Sequence, residues 1–375
     1  MQTRRYVTMT AMVLLGCAGA AASRTPSSPR PTAETAGHVP AEPPPEASPS
    51  QPAPAEPTHL TFTGVALPGA SPPVGLDYIA YEPIRGRVWV PVGDTGSVDV
   101  YDPSNGTFTR IDGFKTVPRD WHGKSRTMGP SSVSVGDGVA YVGDRGSSEV
   151  CAVDADKRTI RRCLALTSSP DGIQYVQSQR ELWVTTPAER TVTVLDASQA
   201  DSLKVKATIK LEGRPEGYAV DAARNLFFTN LEDKDRTVAI DLKTHQPKAT
   251  WTPDCGSEGP RGIAVDTDRG FVYVACTGSV VVLDPSHDGA ALARIELGPG
   301  VDNIDWLAPR RLLYVAAAKA AKLTVLRVDD HGQPTIVATG ESTAGARNGV
   351  ANPAGVAFVA DPVNARLLVF APPIP

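Results

Sequence analysis

Seven polar side chains stand at near-regular intervals along this 375-residue chain, each just before a short apolar segment. In chain order they are Asp77, Ser131, Asp171, Glu216, Arg261, Asp302 and Asn348. The successive intervals are 54, 40, 45, 45, 41 and 46 residues. Four members are carboxylates and one is an amide, and such oxygens are the ligands that Ca²⁺ and Mg²⁺ take. A fold that gathers the set would form a mainly acidic site for a cation or a polar ligand.

The spacing also predicts the fold, because a strand-rich repeat of about 40–45 residues is typical of β-propeller blades. Each polar residue leads into a short apolar segment such as 262–265. A segment with an aromatic residue and valines follows, as at 182–184, and then an alternating one, as at 192–195. Short runs of this kind between turn residues predict strands. We predict an all-β, seven-bladed β-propeller with four strands per blade and the seven polar residues around one mouth of its central channel.

The two ends of the repeat region predict how the ring closes. Segment 355–361 matches segment 138–144 in residue type at every position, so it is the second strand of the last blade. Segment 366–370 is then the third strand, and no fourth strand follows. Segment 60–67 precedes the first polar residue, and we predict that it supplies the missing strand. Such closure removes exposed sheet edges.

Most third strands end in or near an aspartate, which predicts a structural role in the following turn. An aspartate there accepts a hydrogen bond from the backbone two residues on. His245, His287 and His331 fall in three of these turns and are expected to be solvated. Turns on neighbouring blades lie too far apart for one metal with ligand bonds of about 2.0–2.1 Å. The aspartates are Asp102, Asp154, Asp196, Asp241, Asp284 and Asp329.

The first residues predict export and a lipid anchor. Arg4 and Arg5 precede a mostly small and apolar segment, 7–19, that is too short to be a stop-transfer helix. Segment 14–17, Leu-Leu-Gly-Cys, resembles the bacterial lipobox, which implies cleavage before Cys17 and lipidation of that cysteine. The alternative is an ordinary signal peptide with an incidental cysteine. We expect a bacterial lipoprotein facing the periplasm or the cell surface, anchored preferably in the outer membrane.

Composition divides the chain into three parts. Residues 1–16 are the predicted signal peptide, residues 17–58 a tether, and residues 59–375 the propeller. The tether is rich in Pro, Ala, Ser, Thr and Glu and has hardly any large apolar residue, so it cannot offset the entropy of ordering. An extended proline-rich chain of that length spans roughly 130 Å.

Net charge and the absence of basic runs argue against nucleic acid and anionic lipid head groups as partners. The chain has 37 basic and 41 acidic residues. Without Arg4 and Arg5 the basic count is 35 and the net charge is −6. The expected partners are the membrane, through the anchor, and an unidentified protein or small polar ligand.

Four further cysteines predict two local disulfides in an exported chain. Cys151 ends a predicted strand and Cys163 lies in the next one, while Cys255 and Cys276 fall on the same face of one blade. We predict the pairs Cys151–Cys163 and Cys255–Cys276. The alternative is four small buried side chains. No CxxC motif or His/Cys cluster indicates zinc.

Two connections between blades are long, at 115–129 and 340–347, and both should lie at the mouth. Loops on a rigid scaffold commonly carry function. Trp121 and His122 are therefore lid candidates, the first for stacking on a ligand and the second as an acid or base near neutral pH. The alternative is that Trp121 packs the loop down and His122 has no role.

The second and third strands resemble those of YVTN-type, or YncE-like, bacterial propeller proteins. The shared pattern is an aromatic-valine strand, a short turn and alternating valines ending in Asp, as at 182–185 and 194–196. The resemblance spans nearly the whole domain and implies the propeller architecture. It implies no single activity, because such propellers have varied roles and fold alone does not give function.

Two functions follow as expectations. The first is a binding or interaction scaffold that acts through the channel face, with no catalytic residue assigned. The alternative is a divalent-metal-dependent lactone hydrolase, for which the chain looks only loosely like the gluconolactonase type. Its Ca²⁺ or Mg²⁺ would be held by Asp77, Glu216, Asp302 and Asn348. The nucleophile, zinc-protease, P-loop and dinucleotide motifs are missing from the sequence.

Overall fold

The computed structural model describes residues 56–121 and 124–371, and over these ranges the chain is all-β. It forms seven four-stranded sheets, the blades of a β-propeller, as the repeat predicts. Within the described ranges we find no helix with the length and apolar character of a membrane span. The helical elements there are short 3-10 helices at Gly93–Thr95, Pro187–Glu189, Ala200–Ser202, Gly256–Glu258, Pro285–His287 and Ala308–Arg310.

The first part of the chain contains blades one to three and a separate hairpin. Strands β2–β5 form blade one, β6 and β7 the hairpin, β8–β11 blade two and β12–β15 blade three. Their bounds, with the first strand of the chain, are β1 (Thr58–Ala66), β2 (Ala80–Glu82), β3 (Arg87–Val92), β4 (Ser97–Asp102), β5 (Thr107–Asp112), β6 (Val117–Trp121), β7 (Lys124–Met128), β8 (Pro130–Gly136), β9 (Val139–Asp144), β10 (Glu149–Asp154), β11 (Thr159–Ala165), β12 (Ile173–Val176), β13 (Glu181–Thr186), β14 (Thr191–Asp196) and β15 (Lys204–Lys210).

The remaining strands form blades four to seven. Strands β16–β19, β20–β23 and β24–β27 are blades four, five and six, and β28–β30 belong to blade seven. Their bounds are β16 (Pro215–Asp221), β17 (Leu226–Leu231), β18 (Arg236–Asp241), β19 (Pro247–Trp251), β20 (Pro260–Val265), β21 (Val272–Cys276), β22 (Ser279–Asp284), β23 (Ala290–Glu296), β24 (Val301–Leu307), β25 (Leu312–Ala317), β26 (Lys322–Val328), β27 (Pro334–Glu341), β28 (Arg347–Ala351), β29 (Ala357–Asp361) and β30 (Arg366–Ala371).

The N-terminal strand closes the ring, as predicted. From Thr61 to Ala66, β1 pairs antiparallel with β30 and so becomes the fourth strand of blade seven. Its first residues also pair in parallel with β27, with Thr58 opposite Ala338 and Leu60 opposite Gly340. Blades six and seven therefore share one eight-stranded sheet.

Burial explains why the strands of a blade differ in sequence. Second strands lie between neighbouring blades and are buried on both faces, so apolar residues stand at consecutive positions, as at 182–184 of β13 and along β25. Outer strands such as β15 are mostly exposed and alternate. Trp89, Trp183, Tyr141 and Phe227 are among the largest fully buried side chains, and Trp183 stacks on Phe227 of the next blade at 4.7 Å. Burying one large apolar side chain contributes about 1.5–3 kcal/mol.

Antiparallel strand order fixes which face of the propeller each connection occupies. Each blade's first strand begins at the channel mouth, its second ends there, its third begins there and its fourth ends there. The mouth is therefore built from first-strand starts, from turns between second and third strands, and from connections between blades. Turns between third and fourth strands lie on the opposite face.

The predicted turn aspartates and disulfides are confirmed. Each aspartate accepts a hydrogen bond from the backbone N–H two residues on, at 2.8–3.1 Å. Cys151 lies directly opposite Cys163 in the β10–β11 pair, and the two form a disulfide. Cys255 and Cys276 form the second. Two disulfides indicate an extracytoplasmic location.

The prediction of solvated turn histidines is wrong for His245. Its Nε2 lies 3.1 Å from an oxygen of Glu181 in the neighbouring blade, and its ring packs edge-on against Trp183. The His245 side chain is only 13% exposed. His287 is exposed, and its Nδ1 lies 2.6 Å from Asp284 Oδ2. The two positions differ because only the first meets a carboxylate from another blade.

Candidate functional site

Close approach of the first strands brings the polar residues towards the channel. A Cβ atom on Gly262 would lie 2.5 Å from the Cα of Asn303 in the next blade. One on Gly217, whose φ is +45°, would lie 2.4 Å from the carbonyl oxygen of Arg261. Glycine follows the polar residue in these blades because a side chain there would hold the first strands apart.

An ionic network centred on Arg145 joins several of the predicted residues. Arg145 follows β9, and its Nη2 donates to Asp77 Oδ2 at 2.6 Å and to Asp171 Oδ1. The other oxygen of Asp77 accepts from Asn348 Nδ2 at 2.7 Å. Asn348 Oδ1 in turn accepts from the backbone N–H of Asn303 at 3.1 Å. The network therefore links blades one, two, three, six and seven.

Glu216 reaches this region from blade four and meets a tyrosine from blade one. The Tyr78 hydroxyl donates a hydrogen bond to Glu216 Oε1 at 3.4 Å, and it accepts one from the Gly217 N–H at 3.2 Å. The Tyr78 ring packs on Tyr218 with centroids 5.3 Å apart. Burial raises the pKa of Tyr78 well above its ordinary value, so the hydroxyl keeps its proton and remains a donor. The contact spans the channel.

Three carboxyl groups at the mouth, those of Asp171, Glu216 and Asp302, have raised pKa values. Burial raises the pKa of Glu216 well above its usual range, and the charges of Asp171, Asp302 and Asp77 raise it further. Burial also raises the pKa of Asp171 to about 6, although Arg145 opposes that shift. The cause in both cases is the loss of hydration of the charged form.

Asp302, Arg261 and Ser131 have partners outside the Arg145 network. Arg347 Nη1 lies 3.0 Å from Asp302 Oδ2. Burial raises the pKa of Asp302 against the lowering effect of Arg347. Arg261 does not bridge Glu216 and Asp302, which corrects that interpretation, because its ion pair is with Glu232 after β17. The Ser131 hydroxyl lies 3.5 Å from the Gly143 carbonyl oxygen in its own blade.

The predicted acidic mouth is thus largely balanced by arginines, and its donors are a poor match for Ca²⁺ or Mg²⁺. Such ions need about six or more oxygens, which carboxylates already paired with Arg145 and Arg347 do not offer freely. Among the described His, Cys, Asp and Glu side chains, three ligand atoms lie within 4.8 Å of one another only at Glu149, Cys151 and Cys163. Both of these cysteines are in a disulfide. The metal site therefore stays a prediction with little geometric support.

A cavity of about 870 Å³ opens at the mouth beside blades one, two and seven. Asp77, Ser131, Arg145 and Arg347 line it, together with the β7 half of the hairpin. The two long connections therefore do border the mouth. The lid candidate Trp121 ends β6, and His122 lies outside the described residues.

Sequence reasoning missed three residues that organise the mouth: Tyr78, Arg145 and Arg347. Tyr78 and Arg347 stand next to the predicted Asp77 and Asn348. Arg145 follows a second strand, and second strands end at the mouth. Strand direction is therefore the signal that could have identified Arg145. Polar residues that follow second strands lie at the channel mouth, as do those that precede first strands.

Comparison with solved structures defines the class of protein as a β-propeller. The fold is similar to that of an inactive histidine-to-alanine variant of virginiamycin B lyase from Staphylococcus aureus with quinupristin. The TM-score is 0.65 and the identity 12%, over 84% of this chain and 99% of that one. At such identity the likeness shows the fold alone.

Other propellers match as well and have unrelated roles. Hydrazine synthase of Kuenenia stuttgartiensis matches with a TM-score of 0.66 and 14% identity, over 81% of this chain and 98% of that one. A chain of the mitotic checkpoint complex matches with a TM-score of 0.67 and 14% identity, over 85% and 95%. No protein-family model and no curated protein matches the sequence significantly. Similar folds thus include both enzymes and a component of a protein complex.

Proposed function

We propose that this chain is a membrane-tethered, extracytoplasmic β-propeller of the YVTN type that binds a ligand or partner at its channel mouth. The observation that carries the proposal is the cavity of about 870 Å³ bordered by both long connections. Cavities of this size, with apolar walls and a few placed polar groups, are typical of ligand sites. Val74, Leu76 and Met128 supply apolar wall here, and Asp77 and Arg145 supply the polar floor.

The direction of the N-terminal strand gives the face of the propeller on which that strand begins. Strand β1 is the fourth strand of blade seven and runs towards the mouth, since Ala66 pairs with Arg366 at the start of β30. Thr58 therefore begins on the opposite face.

Export is supported by the disulfides and by the lipobox-like segment before Cys17. Replacing Cys17→Ser should release the protein from membranes into the soluble fraction of the exported compartment. The measurement is fractionation together with labelled fatty-acid incorporation. Wild-type protein that takes up no label and is already soluble would contradict the anchor.

Binding is better supported than lactone hydrolysis. The mouth carboxylates are engaged by Arg145 and Arg347, so the arrangement favours a fixed recognition surface over a cation site. The similar lyase was solved as an inactive histidine variant, and a comparable role here would need a histidine at the mouth. Among the described histidines, His59 begins β1 on the opposite face, and His245, His287 and His331 belong to turns of that face. The lid candidate His122 lies outside the described residues.

The test of the proposal is a thermal-shift screen of a small-molecule library with the full chain. Ala318 lines the cavity, so Ala318→Trp should fill part of it and abolish stabilisation by mouth ligands. Ala290→Trp, at an exposed outer position, is the matched control. Compounds that stabilise the wild type and the control but not Ala318→Trp support the proposal. If Ala318→Trp responds like the wild type, the mouth is not the binding site.

A further inference from the structure

The hairpin at the mouth places two arginines directly opposite each other. In the β6–β7 register Arg119 faces Arg126, and Val117 faces Met128 on the same side of the hairpin. Side chains in such a pair start about 4.5–5.5 Å apart, and like charges there repel. Among the described strands, β6 and β7 pair with each other alone, so no neighbouring strand imposes this pairing. An anion between the two guanidinium groups would remove the repulsion.

Neither arginine has a protein counter-ion within the described ranges. Both side chains are exposed, and the ion pairs and hydrogen bonds there do not include Arg119 or Arg126. Other arginines of the mouth differ, since Arg145 is held by two carboxylates and Arg347 by Asp302. The hairpin pair is therefore free to bind an external group.

The cavity that Arg126 lines combines cationic and apolar walls. Arg347 lies on its blade-seven side, and this side chain is still 42% exposed despite its contact with Asp302. Met128 and Leu76 form part of the apolar lining, and Val363 is 49% exposed at its edge. The occupant that fits both kinds of wall carries an anionic group and an apolar body.

The carboxylates that line the same cavity do not prevent an anionic group from binding there. Asp77 is bound on one side by Arg145 and on the other by Asn348. Asp94, also in the lining, accepts from the backbone N–H of Gly75 at 2.7 Å. Both acids already have donors, whereas Arg119 and Arg126 have no acceptor among the described residues.

We propose that the mouth binds an amphipathic anion, with a carboxylate or phosphate group between Arg119, Arg126 and Arg347 and an apolar body against Leu76 and Met128. This inference rests on the proposed function and names the ligand class of that site. Guanidinium groups suit it because they form paired, charge-assisted hydrogen bonds with carboxylates and phosphates.

The test is calorimetric titration of the full chain with octyl phosphate, octanoate and octylammonium at low ionic strength, where charge contacts are least screened. The two anions should bind and the cation should not. Combining Arg119→Gln with Arg126→Gln should weaken anion binding by about tenfold or more. Arg162→Gln, which removes an exposed arginine on the outer strand β11, is the matched control and should bind as the wild type does. The double variant should keep its Tm, because it removes a repulsion.

The outcomes separate this inference from the proposed function. If all three probes bind equally and Ala318→Trp abolishes their binding, anion selectivity is wrong while the mouth remains a binding site. If the probes bind and Ala318→Trp has no effect, both fail. If neither anion binds, the inference fails alone, since the library screen tests the mouth separately. Sedimentation with phosphatidylglycerol but not phosphatidylcholine vesicles, without binding of octyl phosphate, would indicate a membrane surface and also overturn it.

Discussion

The turns on one face of the propeller and the mouth on the other both repeat once per blade, yet their interactions differ. Each turn aspartate binds the backbone two residues on. At the mouth Asp77, Asp171 and Asp302 are instead held by arginines from other blades, and each contact has its own geometry. A periodic sequence therefore gives a periodic structure where the partner lies within the same repeat. Where the partner comes from another blade, equivalent positions take different roles.

The two regions also shift carboxyl pKa values in opposite directions. Hydrogen bonds from the turn lower the pKa of five turn aspartates, and in Asp284 they lower it against the opposing effect of burial. At the mouth, burial raises the pKa of Asp171, Glu216 and Asp302. The turns therefore favour charged carboxylates, and the channel disfavours them.

The largest expected effect comes from removing the cation that two blades share. Arg145→Met should lower the free energy of unfolding by roughly 3–5 kcal/mol, because it leaves Asp77 and Asp171 buried without a counter-charge. The measurement is denaturant unfolding at about neutral pH. Arg162→Met, at an exposed outer position, should cost little. A loss for Arg145→Met no greater than that of the control would mean that the network does not stabilise the fold.

An effect of intermediate size is expected in the pH dependence of the free energy of unfolding. The mouth and the turns should contribute slopes of opposite sign. Burial raises the pKa of Asp171 and of Asp305 to about 6, so between about pH 4 and 6 the folded state binds more protons than the unfolded one. The stability from these groups is complete below about pH 4 and is lost as pH rises through about 6. The turn aspartates act in the opposite sense, and their stability is lost as pH falls below about 4. Stability should therefore be greatest near about pH 4.

The check is the free energy of unfolding measured from about pH 3 to 8. Asp305→Asn should flatten the slope between about pH 4 and 6, because the amide oxygen still accepts from the Ala351 N–H without carrying a charge. At neutral pH the free energy of unfolding of the variant should exceed that of the wild type by on the order of 2 kcal/mol, since a shift of one pKa unit corresponds to about 1.4 kcal/mol. Asp288→Asn, at an exposed turn position, is the control. Stability that rises steadily from pH 5 to 8 would contradict the buried-carboxylate account.

A smaller effect is expected from one turn aspartate. Asp284→Ala should cost about 1 kcal/mol, because it removes the acceptor for the Ser286 N–H in a single local turn. Asp196→Ala removes the corresponding acceptor for Ser198 and should cost a similar amount. Thermal or denaturant unfolding measures both. Losses as large as that of Arg145→Met would erase the distinction between local and inter-blade contacts.

The smallest effect concerns divalent cations. Because Asp77, Asp171 and Asp302 are paired with arginines, Ca²⁺ and Mg²⁺ at millimolar concentration should leave the wild-type Tm unchanged. A bound ion would instead stabilise the fold by about 2.7 kcal/mol at a hundredfold excess over its dissociation constant. If a shift in Tm appears and Glu216→Gln combined with Asp302→Asn removes it, the result would support a metal site at the mouth.

Local and repeating features were predictable from the sequence. The closure by β1, the turn role of Asp102 and its equivalents, and both disulfides depend on neighbours along the strand or on the blade period. The contacts of Arg145 and Arg261 were not predictable, because their partners lie 26–68 and 29 residues away in other turns or blades. His245 shows the same limit, since its burial depends on Glu181 in the preceding blade.

The most direct test of the account is a pair of double-mutant cycles, one in each region. Asp77→Asn and Asp171→Asn lie on blades one and three but share Arg145, so their effects on the free energy of unfolding should be non-additive by about 0.5–1 kcal/mol or more. Asp196→Ala and Asp284→Ala share no partner and should add within about 0.5 kcal/mol. Coupling at the mouth with additivity in the turns is the predicted result. Additivity at the mouth would show that its carboxylates act separately, and would contradict the network.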